Sequence, residues 1–349
     1  MEELLPKDNE NVRLPIVGPI APSEPAGFPP DQMIRCDECL RANSPTRVNC
    51  LYCSAALPLT KVSARLRKPN LRRPEKGQPG YNSIFLPPAQ SSLADNVLTE
   101  AANLLKLTPQ DLERIVSARR SLPLARTASL EEAQLVFERL RDLGLETVTL
   151  ADKDLGLRQN SVTRVRSIRL DESGITIHQG VPVEAERILW SDLMLLVTGR
   201  FVVKKVEVKE RKSRKGENEI LDTSEFFADE AVVDIYSSSG PQTWRICAHS
   251  FDFSCLQIKT FVASENLVSL IEVIRTNAPQ LELDDSYNSL RQALEPVWGK
   301  DHETESSGWR REGPGKYSLG AVTTSTNETQ FTLYSRLRYY LSLNPQIKR

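Results

Sequence analysis

Ile168-Arg169-Leu170-Asp171-Glu172-Ser173-Gly174-Ile175-Thr176-Ile177 decides how the largest part of this chain is read. Ile168 and Leu170 face one way, four turn-forming residues intervene, and Ile175 and Ile177 return, which is the pattern of a β-hairpin. The period of two continues through strand-sized runs at 188–190, 193–197, 201–208, 231–236 and 243–248. Ser264 then stands as a cap for a helix that turns Leu267, Leu270, Ile271 and Ile274 inward and stops at Asn277-Ala278-Pro279. About seven strands closed by one helix predict a β-barrel-like domain over 160–279.

On the N-terminal side the spacing becomes helical. Leu98, Ala101, Ala102 and Leu105 share a face, and Thr108-Pro109-Gln110-Asp111 supplies a cap, a first-turn proline and an acid for a helix to about Ala118. Leu122 and Leu124 suggest a strand. Ser129-Leu130-Glu131-Glu132 is a second capping box, and its helix puts Leu130, Ala133, Phe137, Leu140 and Leu143 on one face. Gly144 is placed to stop that helix in the left-handed conformation, and 145–150 alternates as a strand. Residues 92–155 thus read as a small α/β unit. Residues 280–349 read as a polar tail ending in a short amphipathic helix near Phe331–Leu341.

Fourteen of the 22 prolines fall in the first 90 residues. Residues 1–33 read as a disordered or extended arm, and 59–91 as a basic linker, because proline can neither continue a helix nor join a sheet centre. The linker carries Lys61, Arg65, Arg67, Lys68, Arg72, Arg73 and Lys76 against Glu75 alone, although the whole chain has a net charge of only −1. That balance excludes a protein that coats nucleic acid or an anionic membrane over its whole surface. No apolar run is long enough for a membrane span, and the acidic start Met1-Glu2-Glu3 lacks the order of a secretory signal. A cytoplasmic setting is expected.

Cys36-Asp37-Glu38-Cys39 and Cys50-Leu51-Tyr52-Cys53 make two Cys-x-x-Cys pairs ten residues apart within 34–58. Such pairs bring four thiolates to one tetrahedral ion, so Cys36, Cys39, Cys50 and Cys53 are the expected ligands of a structural Zn2+. Four sulfurs leave no open position for water, and the metal would supply folding energy that so short a segment cannot find in a core. The pairs resemble the zinc-ribbon knuckles common in bacterial proteins. They also resemble the Ran-binding-protein type of zinc finger, which has Asn four residues after its second cysteine, here Asn43. Ile34 stands where that family typically has Trp.

Two further resemblances come from residue order. Leu122-Pro123-Leu124-Ala125-Arg126-Thr127-Ala128-Ser129-Leu130-Glu131-Glu132-Ala133, continued by Arg139–Glu146, is similar to the C-terminal domain of the bacterial ribosomal stalk protein. The turn that carries that family's factor-binding surface is Leu107-Thr108-Pro109-Gln110-Asp111-Leu112 here, without its glycine and lysines, so translation-factor binding is not implied. Residues 160–279 resemble a pleckstrin-homology-like domain, through Asp171-Glu172-Ser173-Gly174-Ile175 and Ile188-Leu189-Trp190-Ser191-Asp192-Leu193. The resemblance implies a curled sheet plugged by the helix after Ser264. The architecture expected is α+β and multidomain: a small zinc ribbon, a small α/β unit and a helix-capped β domain.

Lys204, Lys205, Lys209, Arg211, Lys212, Arg214 and Lys215 cluster along one strand and its loop, as an anion-binding patch or as a charged edge that resists aggregation. His249 and Asp252 lie near Ser250 and Ser254, but local crowding of such residues does not make a triad. No Gly-x-Ser-x-Gly elbow, phosphate loop or His-Glu-x-x-His is present. Asp284-Asp285 reads as a solvated acidic run, and Cys247 and Cys255 as free thiols. These features predict a non-enzymatic bacterial adaptor that recruits protein partners. One alternative is a nucleic-acid binder using the knuckles and the 61–76 basic stretch, and another is recruitment to an anionic membrane surface through 204–215.

Overall fold

In the computed structural model, which describes residues 27–72, 74, 78–88, 93–157, 162–179, 184–212, 218–313 and 316–347, the chain divides into two units between Leu66 and Arg67. Most of the expected N-terminal arm, 1–26, lies outside the described residues, as do Arg73 and Lys76 of the basic stretch and Arg214 and Lys215 of the later cluster. The first unit pairs β1 (Ile34–Arg35) with β2 (Ala42–Asn43) in antiparallel register and ends in helix α1 (Lys61–Leu66). Among the described residues its buried apolar set is Ile34, Cys36, Cys50, Leu57 and Ala64, too little to hold a fold unaided.

The second unit begins with β3 (Tyr81–Phe85), inside the stretch expected to be linker, followed by α2 (Asp95–Leu105) and α3 (Pro109–Ser117). Then come β4 (Pro123–Thr127), α4 (Leu130–Asp142) and β5 (Thr147–Ala151). β3 lies between β4 and β5 and is antiparallel to both, so α4 crosses over a central strand drawn from elsewhere. The local signals work as expected. The Thr108 and Ser129 side chains accept the Asp111 and Glu132 backbone N–H groups, and Gly144 adopts φ +81°. The inward face of α4 is Ala133, Leu135, Val136 and Leu140; Leu130 is exposed instead of joining it.

A second group of strands follows: β6 (Val162–Arg164), β7 (Ser167–Asp171), β8 (Gly174–Gln179), β9 (Glu184–Leu189), β10 (Leu193–Lys212), β11 (Asn218–Ser237) and β12 (Gly240–Cys247). β7, β8 and β9 form a three-stranded meander, whose turn is fixed by the Asp171 carboxylate accepting the Ser173 and Gly174 N–H groups. Only glycine fits position 174, because a Cβ there would lie 2.1 Å from the Ile188 carbonyl oxygen. Helix α5 (Ala263–Asn277) buries Leu267, Leu270, Ile271 and Ile274. Ser264 is not its cap: the residue before the helix is Val262, and Asn266 instead bonds the N–H and C=O of Thr260.

The expected polar tail is folded. It supplies β13 (Glu282–Asp284), α6 (Tyr287–Leu294), β14 (Asp301–Gly313), β15 (Lys316–Thr326) and α7 (Glu328–Leu343). α7 is a buried helix rather than an amphipathic one, with Phe331, Leu333, Tyr334, Leu337, Tyr339 and Leu341 all enclosed. The principal sheet runs β14-β15-β10-β11-β12-β6, with β13 alongside β10, and is half-barrel-like. The two strands expected at 193–197 and 201–208 are one 20-residue strand. Gly199 within it gives the Phe331 and Tyr287 rings room against the backbone, where a Cβ would come within 2.5 Å of the former.

This sheet separates two cores, which explains the continuous apolar run at 193–197: a strand covered on both faces needs apolar residues at every position. Leu196, Val233, Ile235, Trp244 and Ile246 face the core made with the β7–β9 meander and α5. Leu195, Val197, Val232 and Tyr236 face the other core, made with α6, α7 and the β3–β5 unit. The α/β unit is therefore not a separate module, since Leu124 and Leu150 belong to the same buried cluster as Tyr287 and Phe331. The fold class is mixed α+β, with seven α-helices among the described residues.

Candidate metal centre

Each Cys-x-x-Cys folds into the same turn. The N–H groups of Leu40 and Ser54 donate to the carbonyls of Cys36 and Cys50, at 2.9 and 3.1 Å. The N–H groups of Cys36 and Cys50 donate to the carbonyls of Arg41 and Ala55, at 3.0 and 2.8 Å. Both turns close through a left-handed residue, Leu40 at φ 56° and Ser54 at φ 62°, a conformation costing about 1 kcal/mol or more in a non-glycine residue. Asn43 ties the turns together from a buried position. Its Oδ1 accepts the Leu51 N–H at 2.8 Å, and its Nδ2 donates to the Arg41 carbonyl at 2.9 Å and toward Cys50 Sγ at 3.4 Å.

The result is a cluster of four sulfurs, all within 4.8 Å of one another, with Cys36–Cys53 at 3.6 Å and Cys39–Cys50 at 3.5 Å. These separations exclude disulfides, which need about 2.05 Å. They lie near the ~3.8 Å edge of a tetrahedron with ~2.3 Å metal–sulfur bonds. The donor set is compatible with one metal ion. Burial opposes ionisation of the Cys50 thiol, but the N–H groups of Tyr52 and Cys53 and the Asn43 amide outweigh it, bringing it down to about 6. The Ala55 N–H favours the Cys53 thiolate, yet desolvation and the three neighbouring sulfurs push that thiol up to about 12. Four crowded sulfurs ionise together only when a cation shares their charge.

Around this centre the residues between the ligands face outward. Leu40, Leu51 and Tyr52 are 66, 62 and 53% exposed, and the Arg41 guanidinium lies 4.7 Å from the centre of the Tyr52 ring. Sequence reasoning found the four cysteines that cluster and missed this apolar rim, whose signal was three large side chains in a segment with almost no core to place them in. Ile34 is buried in the small core.

The other residues singled out from sequence do not converge. Lys204 pairs with Glu225 at 2.9 Å, and Lys205, its neighbour in the strand, points to the opposite face of the sheet. Lys209, Arg211 and Lys212 continue along β10. His249 is exposed and 3.8 Å from Glu230, while the Asp252 carboxylate accepts from the Ser254 N–H and hydroxyl. Asp284 is not solvated. It is buried with Arg338 at 2.6 Å, Arg120 at 3.1 Å and the Tyr334 hydroxyl at 2.9 Å. Cys247 and Cys255 are free, and burial pushes the Cys247 thiol up to about 11. No helix among the described residues is long and apolar enough to cross a membrane. No family model, curated protein or solved structure matches the chain.

Proposed function

We propose that this chain is a non-enzymatic adaptor that recruits a protein partner through a zinc-stabilised cysteine finger. The observation that carries the reading is the pairing of a closed four-sulfur cluster with an exposed apolar rim of Leu40, Leu51 and Tyr52. Four thiolates in a near-tetrahedral set favour zinc, and they leave no coordination position for a substrate or water. The metal then has a structural task, holding the rim in place. An exposed apolar rim on so small a fold supports a docking face, with Tyr52 as its aromatic anchor. The resemblances of 160–279 to a pleckstrin-homology-like domain and of 107–150 to the stalk-protein domain enter this reading as expectations from residue order. Both segments serve in this reading as scaffolds for docking.

Metal analysis of the full chain should return about one zinc per chain, lost in Cys36→Ser/Cys50→Ser. Quantitative affinity capture should then show a discrete set of proteins retained by the wild type and lost with Leu40→Ala/Leu51→Ala/Tyr52→Ala, whose zinc content is unchanged. Identical captures would remove the adaptor reading. A second reading, nucleic-acid binding along the finger, is favoured by the Arg41–Tyr52 stack, since an exposed aromatic ring can take a base. It requires single-stranded RNA or DNA binding that weakens steeply with salt and is lost in Tyr52→Ala.

A further inference from the structure

Five non-glycine residues among those described hold a left-handed backbone. Such residues are strained and gather at ligand clamps and other working sites. Leu40 and Ser54 close the two cysteine turns. Two of the others, Leu71 at φ 51° and Lys106 at φ 54°, line one hollow of about 220 Å³ in the second unit.

Lys106 stands where helix α2 stops. The Leu107 N–H reaches back to the Ala102 carbonyl at 3.0 Å, and the chain reverses through a lysine where glycine is usual. The Lys106 ammonium donates to the Asn70 carbonyl at 2.7 Å, and the Leu71 N–H donates to the Glu132 carboxylate. The Ala128 N–H, bonded to the Arg72 carbonyl at 3.0 Å, pins the same segment beside β4. Residues 70–72 are thereby fixed as one wall.

The interior is apolar, with Leu105, Leu107, Leu124 and Val297 joining Leu71 around it. Two cations share the lining and no acid does. Lys106 is exposed, and among the described residues its ammonium bonds a neutral carbonyl and no carboxylate. Arg126 keeps one prong on Asp152 at 2.6 Å, while its Nε is buried with no hydrogen-bond partner among the described residues. An apolar hollow with surplus positive charge in its wall fits a ligand with an aliphatic body and an anionic head. The volume equals about seven waters at ~30 Å³ each, room for one aliphatic side chain or a short acyl chain.

We propose that this hollow binds an aliphatic carboxylate, its chain against Leu105, Leu107, Leu124 and Val297 and its head on Lys106. Two sources carry that chemistry: a free short-chain fatty acid, and the C-terminus of a peptide that ends in an aliphatic residue. The site lies wholly in the second unit, so its test does not depend on the cysteine finger.

Methyl-resolved NMR of the full chain titrated with hexanoate should show saturable shifts at the leucine and valine methyls of the hollow, with a Kd of about 1 mM or tighter. Hexanol should bind at least ~10-fold more weakly, because it brings no charge to Lys106. Lys106→Asn removes the ammonium with a residue that tolerates the left-handed turn. It should weaken hexanoate at least ~10-fold and leave hexanol unchanged, a split that a merely structural lysine would not give. Lys106→Gly, equally at ease in that turn, is the second variant. Acetyl-leucine against acetyl-leucinamide repeats the comparison for a peptide end. Tighter binding of acetyl-leucine than of hexanoate assigns the site to a chain terminus, and the reverse order to a fatty acid. No saturable shift with either carboxylate by about 20 mM, carboxylates no tighter than their neutral analogues, or binding indifferent to Lys106→Asn and Lys106→Gly overturns the proposal.

Discussion

The Arg245 guanidinium meets the Asp234 carboxylate in a two-pronged pair, Nε to Oδ1 at 2.7 Å and Nη2 to Oδ2 at 2.8 Å, with both side chains wholly buried. They are directly opposed on β12 and β11, and Thr332 and Glu328 of α7 accept the remaining bonds at 3.0 and 3.3 Å. The Phe201 and Phe331 rings lie 5.2 and 5.1 Å from the guanidinium. Burial opposes the charge on Arg245, but the Asp234 carboxylate outweighs it and holds the group ionised. Removing one partner strands a desolvated charge, so Asp234→Ala is expected to cost about 3–5 kcal/mol in urea unfolding. Asp234→Leu/Arg245→Met should cost clearly less, because no charge is left behind. A double variant no milder than the single would show that packing, not charge, dominates.

A relay of buried polar groups links the α/β unit to the central sheet. Asp152 accepts from Asn82 Nδ2 at 2.9 Å, and Asn82 Oδ1 accepts from Trp298 Nε1 at 3.0 Å. Gln330 donates to the Trp298 carbonyl at 2.6 Å and accepts from the Tyr287 hydroxyl at 2.8 Å. Asn327 then accepts the Val202 N–H at 2.7 Å. Asn82→Ala leaves the Trp298 N–H without a partner and Asp152 short of a donor, an expected loss of about 2 kcal/mol. Because the units share one core, hydrogen exchange should show residues 78–157 and 193–341 opening together in the variant. Separate opening of 78–157 in the variant would mean that the relay, and not the shared core, couples them.

What the sequence made legible was local. The Asp171–Gly174 turn, the Thr108 and Ser129 caps and the Gly144 stop depend on neighbours a few residues away, and each formed as expected. The four-cysteine cluster is encoded by spacing alone. β3 was hidden because its partners Thr127 and Ala151 are far along the chain and its flanks are rich in proline and basic residues. β14 and β15 were hidden for another reason: Thr323-Thr324-Ser325-Thr326 has no apolar alternation, and the strand is held by its backbone ladder. Asp284 looked solvated because a carboxylate in sequence carries no sign of Arg338, more than fifty residues on.

Since the cysteine finger belongs to the unit before Arg67, its loss should not reach the rest. A strong chelator is expected to abolish amide protection at 34–57, where among the described residues the buried cluster is Ile34 and Leu57 beside two cysteines. Protection within β10, β11 and α7 should stay the same. Exchange mass spectrometry of the full chain reads both outcomes at once. Protection at 34–57 that survives chelation would show that hydrogen bonds such as Asn43 to Leu51 suffice without metal.

Asp284 should set part of the acid limit of folding. Burial raises its pKa, but Arg338, the Ser286 N–H, the Tyr334 hydroxyl and Arg120 outweigh that and hold the carboxyl below its ordinary range. A carboxylate whose folded pKa is depressed contributes stability in full above its unfolded pKa, near ~3.9, and loses it as pH falls through the folded value. Asp284→Asn keeps the shape, removes the charge and leaves buried Arg338 without its closest counter-ion. The variant should therefore be less stable than the wild type by about 3 kcal/mol at pH 7. The gap should narrow as the pH drops below about 4, where the carboxyl of the unfolded chain takes up its proton, and close only below the depressed folded value. Urea midpoints across that range measure it. A gap that stays constant down to acid pH would place the loss in altered packing rather than in the charge of Asp284.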